Sequence, residues 1–344
     1  VSEQFASLRA FGLDDVFIEA FEATAPPGAA LARVVRGDRT VCRVVSETGE
    51  RQVRLAPWLA EPPITGDWVA LRGDTVALVL ERRTTVVRGS FRDVGEHVLA
   101  ANVDTVMVVA SLAAAFRPRK LERLLVIAWQ TGAVPLVVLT KADCSDDPAG
   151  AAAEAGMIAP GCAVHAVSAV TGEGLDGLAA DLAPGTTSVM VGPSGAGKST
   201  LANALSDGSR TLETGEVRSD GKGRHTTVAR ELVRLANGAL LIDTPGLRAI
   251  GLVEAPDALA STFSEIEELA VRCRFNDCGH RSEPGCAVQE AVEAGVLTPD
   301  RLEGYGRLLR DQARLAARDD ARLRAERRAE WRRFSRQQRN TFTR

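Results

Sequence analysis

Between Ala30 and about Gly89 the chain runs in short stretches where apolar and polar positions alternate. They are Ala32-Arg33-Val34-Val35-Arg36, Thr40-Val41-Cys42-Arg43-Val44-Val45, Gln52-Val53-Arg54-Leu55, Asp67-Trp68-Val69-Ala70-Leu71 and Thr75-Val76-Ala77-Leu78-Val79-Leu80. Turn residues separate them at Gly37-Asp38, Thr48-Gly49 and Gly73-Asp74. A period of two marks strands with one face buried. Five such strands predict a small β-barrel, and an OB-fold, which commonly binds oligonucleotides, fits that size. Another small barrel with no nucleic-acid role fits the same pattern, because fold alone does not fix function. Residues 1 to about 28 read as a short helical lead-in ending at Ala25-Pro26-Pro27-Gly28.

From about Ala100 the pattern changes. Near-continuous apolar runs, Thr105-Val106-Met107-Val108-Val109 and Pro135-Leu136-Val137-Val138-Leu139, flank a helical stretch near Pro118 to Thr131. Strands of that kind belong to a parallel sheet covered on both faces. The alternation continues to about Ile250, followed by a Cys/His cluster and then a long Arg/Glu/Leu/Ala-rich helical region. No tandem repeat occurs. The expected division is a lead-in and barrel over 1–96, an α/β domain over 97–253 and a helical domain over 254–344.

Composition adds four points. The chain has 344 residues, 45% hydrophobic and 25% charged, which is ordinary for a globular protein of two or three domains. No run of roughly 18 apolar residues predicts a membrane span, and Val1-Ser2-Glu3-Gln4-Phe5 lacks the start of a secretory leader. The expected location is the cytoplasm. The net charge of −3 hides a basic stretch, Arg322 to Arg344, that contains only Glu326 and Glu330 as acids. Such a stretch either meets phosphate backbones or forms a solvated helix face. Finally, Lys120, Lys141, Lys198 and Lys222 are the only lysines among 42 Lys+Arg. A compact ammonium and a planar guanidinium are not interchangeable, and two of these lysines fall inside the motifs below.

The strongest motif is Gly192-Pro193-Ser194-Gly195-Ala196-Gly197-Lys198-Ser199-Thr200, which fits G-x-x-x-x-G-K-[ST] between a predicted strand, Thr187 to Val191, and a predicted helix, Leu201 to Leu205. Glycines let backbone N–H groups curl around phosphates, and the helix N-terminus adds positive dipole. Lys198 is expected to reach the β- and γ-phosphates, and Ser199 to ligate Mg²⁺. In Leu240-Leu241-Ile242-Asp243-Thr244-Pro245-Gly246 an apolar strand delivers Asp243 to the sheet edge, where it can hold Mg²⁺ through water. The Gly246 N–H can meet the γ-phosphate. Thr140-Lys141-Ala142-Asp143 resembles the guanine-specificity motif N-K-x-D, with threonine for asparagine. The Asp143 carboxylate can accept from guanine N1–H and the 2-amino group, a pair that adenine lacks, and the Lys141 stem can lie along the base. Ser168-Ala169 resembles the matching motif in which a backbone N–H meets guanine O6.

Ordinary GTPases place the phosphate loop before the base motifs. Here residues 140–143 and 168–169 precede 192–200. The same sheet results if the chain is cut and rejoined through Ala183-Pro184-Gly185, so the order is circularly permuted. The segment after Asp243 to Gly246 then leads into the C-terminal domain instead of returning to the sheet. The polar stretch Ser219 to Thr227 suits a switch segment in which Thr226 or Thr227 binds Mg²⁺, with Thr226 preferred. Leu247 stands where Ras-like enzymes carry a water-orienting glutamine. His225 is the nearest replacement, as a neutral imidazole that orients water. Its other reading is packing of the loop or contact with a bound polynucleotide.

Cys273, Cys278, His280 and Cys286 are spaced as Cys-x4-Cys-x-His-x5-Cys. Three thiolates and one imidazole form a closed structural Zn²⁺ set, and a reducing compartment favours metal over disulfides. The remaining thiols, Cys42, Cys144 and Cys162, are scattered and read as small apolar residues.

Together these parts resemble the ribosome small-subunit-dependent GTPase A family, also called RsgA or YjeQ. The resemblance spans nearly the whole chain. It rests on the barrel, Ala101-Asn102-Val103-Asp104, Thr140 to Asp143, Gly192 to Thr200, Gly223-Arg224-His225-Thr226-Thr227, Asp243 to Gly246 and the Cys/His cluster. It implies an OB-fold, a permuted GTPase domain and a zinc-binding helical domain. It further implies late maturation of the 30S subunit, contacts with 16S rRNA, and ribosome-stimulated hydrolysis of GTP to GDP. No membrane partner is expected, and the chain is expected to be a monomer. The acidic lead-in departs from the family and speaks against RNA binding by the first residues. The competing readings are a permuted GTPase acting on another RNA–protein particle, and a switch that binds a protein through its zinc domain.

Overall fold

The computed structural model describes residues 5–38, 40–88, 97–114, 116–206, 230–243 and 255–317, without the side chains of Arg88, His97 and Asp243. The chain forms two compact units, Val1–Gly251 and Leu252–Arg344.

The first unit opens with α1 (Ala6–Arg9) and α2 (Asp15–Thr24). Asp14 caps α2, its carboxylate accepting from Phe17 N at 3.0 Å, which satisfies an N–H that the helix itself leaves unpaired. Five strands follow: β1 (Ala30–Gly37), β2 (Val41–Ser46), β3 (Gly49–Leu55), β4 (Trp68–Arg72) and β5 (Thr75–Val79). They close a barrel in the order β1-β2-β3-β5-β4, with β4 antiparallel to β1. β3 and β5 are parallel, Leu55 facing Val76. The alternation read from the sequence sorts the two faces. Ala32, Val34, Cys42, Val44, Val53, Val69, Leu71 and Val76 fill the barrel. Leu31, Val35, Val45 and Trp68 point outward into a core shared with Leu8, Leu13, Phe17 and Ile18 of the lead-in. At about 1.5–3 kcal/mol for each large apolar side chain buried, both faces of this barrel contribute to stability.

A short ladder, β6 (Thr85–Arg88) with β7 (His97–Ala101), comes next, Val86 facing Ala100. The sheet proper is built from β8 (Thr105–Ser111), β9 (Val134–Thr140), β10 (Val164–Val167), β11 (Thr187–Val191), β12 (Glu231–Arg234) and β13 (Leu240–Asp243). Helices α3 (Pro118–Trp129), α4 (Pro148–Ile158), α5 (Leu175–Asp181) and α6 (Lys198–Leu205) connect them. The order is β10-β9-β8-β11-β13-β12. All pairings are parallel except that of the edge strand β12 with β13. Val106, Val108, Val137, Leu139, Val189 and Val191 cover one face with Leu121 and Leu125 of α3. Met107, Val109, Leu136, Val138 and Met190 cover the other with Leu178 of α5 and Leu201 of α6. Burial on both faces explains why these strands are apolar throughout.

Arg33 of β1 joins barrel, lead-in and sheet. Its side chain is 1% exposed. It donates to Phe11 O, to Thr187 Oγ1 at 2.8 Å and to Asn102 O at 3.2 Å. The guanidinium lies 5.1 Å from the Trp68 ring centroid. Burial lowers its pKa to about 10, so it remains charged at neutral pH. Asp104 fixes the same corner, accepting from Thr187 N at 2.7 Å and donating its own N–H to Thr187 O at 2.8 Å. The start of β11 is thereby anchored, and β11 leads into the phosphate-loop motif.

The second unit contains α7 (Pro256–Thr262), α8 (Ser264–Ala270), α9 (Ala287–Glu293) and a helix over 299–317. Phe263 and Tyr305 meet edge-on at 5.4 Å. Arg301 lies 4.1 Å over the Phe263 ring, with Nε donating to Glu265 at 2.7 Å and Nη2 to Thr262 O at 2.6 Å.

Candidate functional site

Strand register brings the motifs to one edge. Thr140 pairs with Ser111 of β8 and with Val167 of β10. Val191 of β11 pairs with Val108, and Ile242 of β13 with Val189. Parallel strands all release their chains at the carboxyl end. Lys141-Ala142-Asp143, Ser168-Ala169, Gly192 and the backbone of Asp243 therefore leave the sheet side by side, where open α/β sheets bind ligands.

The loop from Gly192 to Gly197 is shaped by its glycines. A Cβ on Gly192 would collide with the Val109 carbonyl oxygen, and Gly195 and Gly197 hold φ of 75° and 85°. Lys198 starts α6, and its Nζ donates to Gly192 O and Pro193 O, both at 2.8 Å. The ammonium thus lies against the loop it follows. Pro193, Ser194, Gly195, Ser199 and Thr200 are exposed, and Ala196 is 2% exposed. Backbone N–H groups at the start of a helix, with an ammonium beside them, suit a polyphosphate.

Thr140 is 3% exposed. Its hydroxyl lies 2.5 Å from Ala196 O and 3.1 Å from Ala110 O, and a hydroxyl has one proton to give. Lys141 adopts a left-handed backbone, φ 60°, and heads the 3-10 turn Ala142–Cys144. A Cβ on Gly197 would lie 3.4 Å from Thr140 Oγ1 and 3.9 Å from Lys141 Cε, so the Lys141 stem lies against the phosphate loop. The exposed Asp143 carboxylate is held below the usual carboxylate range, chiefly by the Ser168 hydroxyl donating to it. Ser168 is fully buried, and its oxygen also accepts from Thr171 N at 3.1 Å and Val170 N at 3.3 Å. Ala142 is buried and Ala169 half-buried. Base motif, its partner and phosphate loop form one hydrogen-bonded cluster.

His225, Thr226, Thr227, Gly246 and Leu247, together with the basic stretch Arg322 to Arg344, lie outside the described residues. The chain re-entering the sheet after residue 229 is held by the barrel. Arg230 O accepts from Thr65 Oγ1 at 3.0 Å, and Glu231 pairs with Arg43.

In the second unit one potential ligand atom each from Cys273, Cys278, His280 and Cys286 lies within 4.8 Å of the others. His280 Nδ1 is 3.6 Å from Cys273 Sγ and 3.5 Å from Cys286 Sγ, and those two sulfurs are 3.9 Å apart. A tetrahedral zinc with arms of about 2.3 Å to sulfur and about 2.0 Å to nitrogen has S–S edges near ~3.8 Å and S–N edges near ~3.5 Å. The three-sulfur, one-nitrogen set fits a metal ion of that size, with Nδ1 as the nitrogen donor.

Some residues of these clusters were not singled out by their sequence positions. Thr65, Arg43 and Arg33 act through partners distant in the chain, which no short motif records.

A family model described as RsgA GTPase matches residues 79–253. The small ribosomal subunit biogenesis GTPase RsgA of Streptomyces coelicolor is 47% identical over 341 residues, covering 95% of this chain and 93% of that protein. The RsgA of Opitutus terrae is 42% identical, covering 97% of each. The crystal structure of YjeQ from Thermotoga maritima superimposes with a TM-score of 0.64 at 27% identity, covering 83% of this chain and 99% of that one. YloQ, described as a circularly permuted GTPase, shares the fold with a TM-score of 0.59 at 22% identity, covering 85% of this chain and 96% of its own.

Proposed function

Because the chain belongs to the RsgA GTPase family, we propose that it is a GTP hydrolase of small-ribosomal-subunit biogenesis. It binds the 30S subunit late in maturation and cleaves GTP to GDP and phosphate under stimulation by that subunit. The observation that carries this reading is the joining of the base motif at Thr140–Asp143 to the phosphate loop at Ala196, at the carboxyl edge of a sheet threaded in permuted order.

Asp143 accepts from guanine N1–H and the 2-amino group, Lys141 covers the base, and the Ala169 backbone meets O6. The N–H groups of Gly192 to Thr200 and the Lys198 ammonium take the β- and γ-phosphates. Ser199, Asp243 and Thr226 would hold Mg²⁺, which neutralises charge between those phosphates when bound with GTP. The Gly246 N–H meets the γ-phosphate, and His225 orients water where Leu247 cannot. Cys273, Cys278, His280 and Cys286 would hold one structural zinc, whose closed four-ligand shell leaves no position for substrate.

The chain divides into a lead-in and OB-fold over 1–96, a permuted GTPase domain over 97–253 and a zinc-binding helical domain over 254–344. Among the described residues no strand after β13 joins the sheet. The segment that senses the γ-phosphate therefore continues along the chain into the zinc domain, which gives a route for nucleotide state to reach the ribosome-binding surface. Barrel and basic C-terminal stretch contact 16S rRNA. No helix among the described residues is long and apolar enough to cross a membrane, and the protein works in the cytoplasm as a monomer.

Co-sedimentation with purified 30S subunits tests the switch. Binding is expected to be tighter with a non-hydrolysable GTP analogue than with GDP, and to weaken as salt rises, because phosphate contacts release counterions. Binding indifferent to nucleotide contradicts it.

A further inference from the structure

The loop between Cys278 and Cys286 contains a carboxylate that the four metal-ligand candidates do not account for. Gly279 N donates to Glu283 Oε1 at 3.0 Å. Arg281 N and Ser282 N donate to Oε2 at 2.8 Å and 3.0 Å. Backbone N–H groups that converge in this way form an anion-binding nest, and here the anion is a side chain of the same loop. The N–H groups, that of Arg281 foremost, hold the Glu283 carboxyl at about 2, so it is ionised throughout the physiological range.

The nest encloses a metal-ligand candidate. Gly279 and Arg281 flank His280, whose backbone takes the left-handed φ of 54° that side-chain-bearing residues rarely adopt. From the other side, Gln289 Nε2 donates to His280 O at 2.6 Å. His280 is thus fixed before and after its Cα and at its carbonyl, in the conformation that directs Nδ1 to Cys273 and Cys286.

We propose that Glu283 is a positioning residue of the metal site. By binding the N–H groups of Gly279, Arg281 and Ser282, it fixes the turn that presents Cys278 and His280 to the ion. The inference rests on reading the cluster as a metal site. With the carboxylate in place, the loop is ordered before the ion arrives, and the ordering cost does not fall on binding. Without it, three N–H groups point at one another, and the ion must impose the turn. Gln in its place keeps one acceptor oxygen but turns an NH₂ toward N–H donors.

The test is equilibrium competition for zinc between a chromophoric chelator and the full chain, as wild type, Glu283→Gln and Glu283→Ala. The absorption spectra of the Co²⁺-substituted proteins are recorded alongside. Zinc affinity is expected to fall about 10- to 100-fold in both variants, the range for removal of an outer-shell partner. The cobalt bands should keep their wild-type positions, because three thiolates and one imidazole remain the ligands. Zinc affinity within twofold of wild type in the variants overturns the role of Glu283. Displaced cobalt bands overturn it too, since they would make Glu283 a ligand. If Glu283→Ala does not fold, Glu283→Gln decides by the same readouts. A wild-type chain that takes up no zinc refutes the metal reading itself, an outcome distinct from unaffected variants of a zinc-binding wild type.

Discussion

The hydroxyl of Thr140 lies 2.5 Å from the carbonyl oxygen of Ala196, joining the strand that carries the base motif to the loop that carries the phosphate motif. The two residues stand 56 positions apart in the chain. Most GTPases fill the first position with asparagine. A threonine hydroxyl here supplies the donor and leaves Lys141 and Asp143 to the base.

Thr140→Val removes that donor at almost constant volume. Both residues are buried, so Ala196 O loses a partner that water does not replace. The expected loss of stability is about 1–2 kcal/mol, read by denaturant unfolding. GTP affinity should fall about tenfold as the two motifs lose their fixed spacing, whereas Thr140→Ser, which keeps the hydroxyl, should bind as wild type. Tight GTP binding by Thr140→Val would show that the contact carries nothing.

Asp143→Asn should cost roughly a hundredfold in GTP affinity, because a charge-assisted pair of hydrogen bonds is lost, and should favour xanthine nucleotides. Unchanged GTP affinity refutes the assignment. The acid limb offers a second check. The folded-state pKa of Asp143 is depressed, with the Ser168 hydroxyl as the largest cause. Its contribution to GTP affinity is therefore full above that depressed value and is lost as pH falls through it. In Ser168→Ala the loss should begin at higher pH. Subtracting the wild-type titration cancels that of the nucleotide phosphates. Superimposable acid limbs contradict the role given to Ser168.

The purified chain should contain about one zinc, bound through thiolates. Cys278→Ala should lower the thermal stability of the C-terminal unit and leave GTP affinity at the sheet edge unchanged. Folded, active protein without metal, by elemental analysis, refutes the site.

His225→Ala should retain GTP binding and 30S binding while losing most stimulated hydrolysis. Equal loss of binding assigns His225 a packing role instead, and wild-type stimulated rates leave it no role in orienting water.

Period-two alternation located the barrel strands because their inward residues, such as Val34 and Val44, are apolar and every second residue. The same rule places Arg33 on the outward face, and that face is buried: the lead-in and the start of β11 cover it, which no local pattern reveals. β12 was not apparent because Glu231-Leu232-Val233-Arg234 is only four residues long and reads polar-apolar-apolar-polar, with no alternation. The β6–β7 ladder was hidden for a related reason, since neither Thr85-Val86-Val87-Arg88 nor His97-Val98-Leu99-Ala100-Ala101 alternates. The phosphate loop, Asp143 and the Cys/His set were legible because their chemistry requires particular residue types at fixed spacing. The Thr140–Ala196 and Ser168–Asp143 contacts were not, since strand register alone brings those positions together. Glu283 reads in sequence as one more solvated charge, because its partners are backbone N–H groups.

The most direct measurement is steady-state GTP hydrolysis by the purified chain, alone and with purified 30S or 50S subunits. Turnover alone should be slow, since Leu247 cannot orient water. The 30S subunit should raise it by more than about tenfold, with GTP and not ATP as substrate, and the 50S subunit should leave it unchanged. A rate that 30S subunits do not raise, or that both subunits raise equally, would contradict a GTPase of small-subunit maturation.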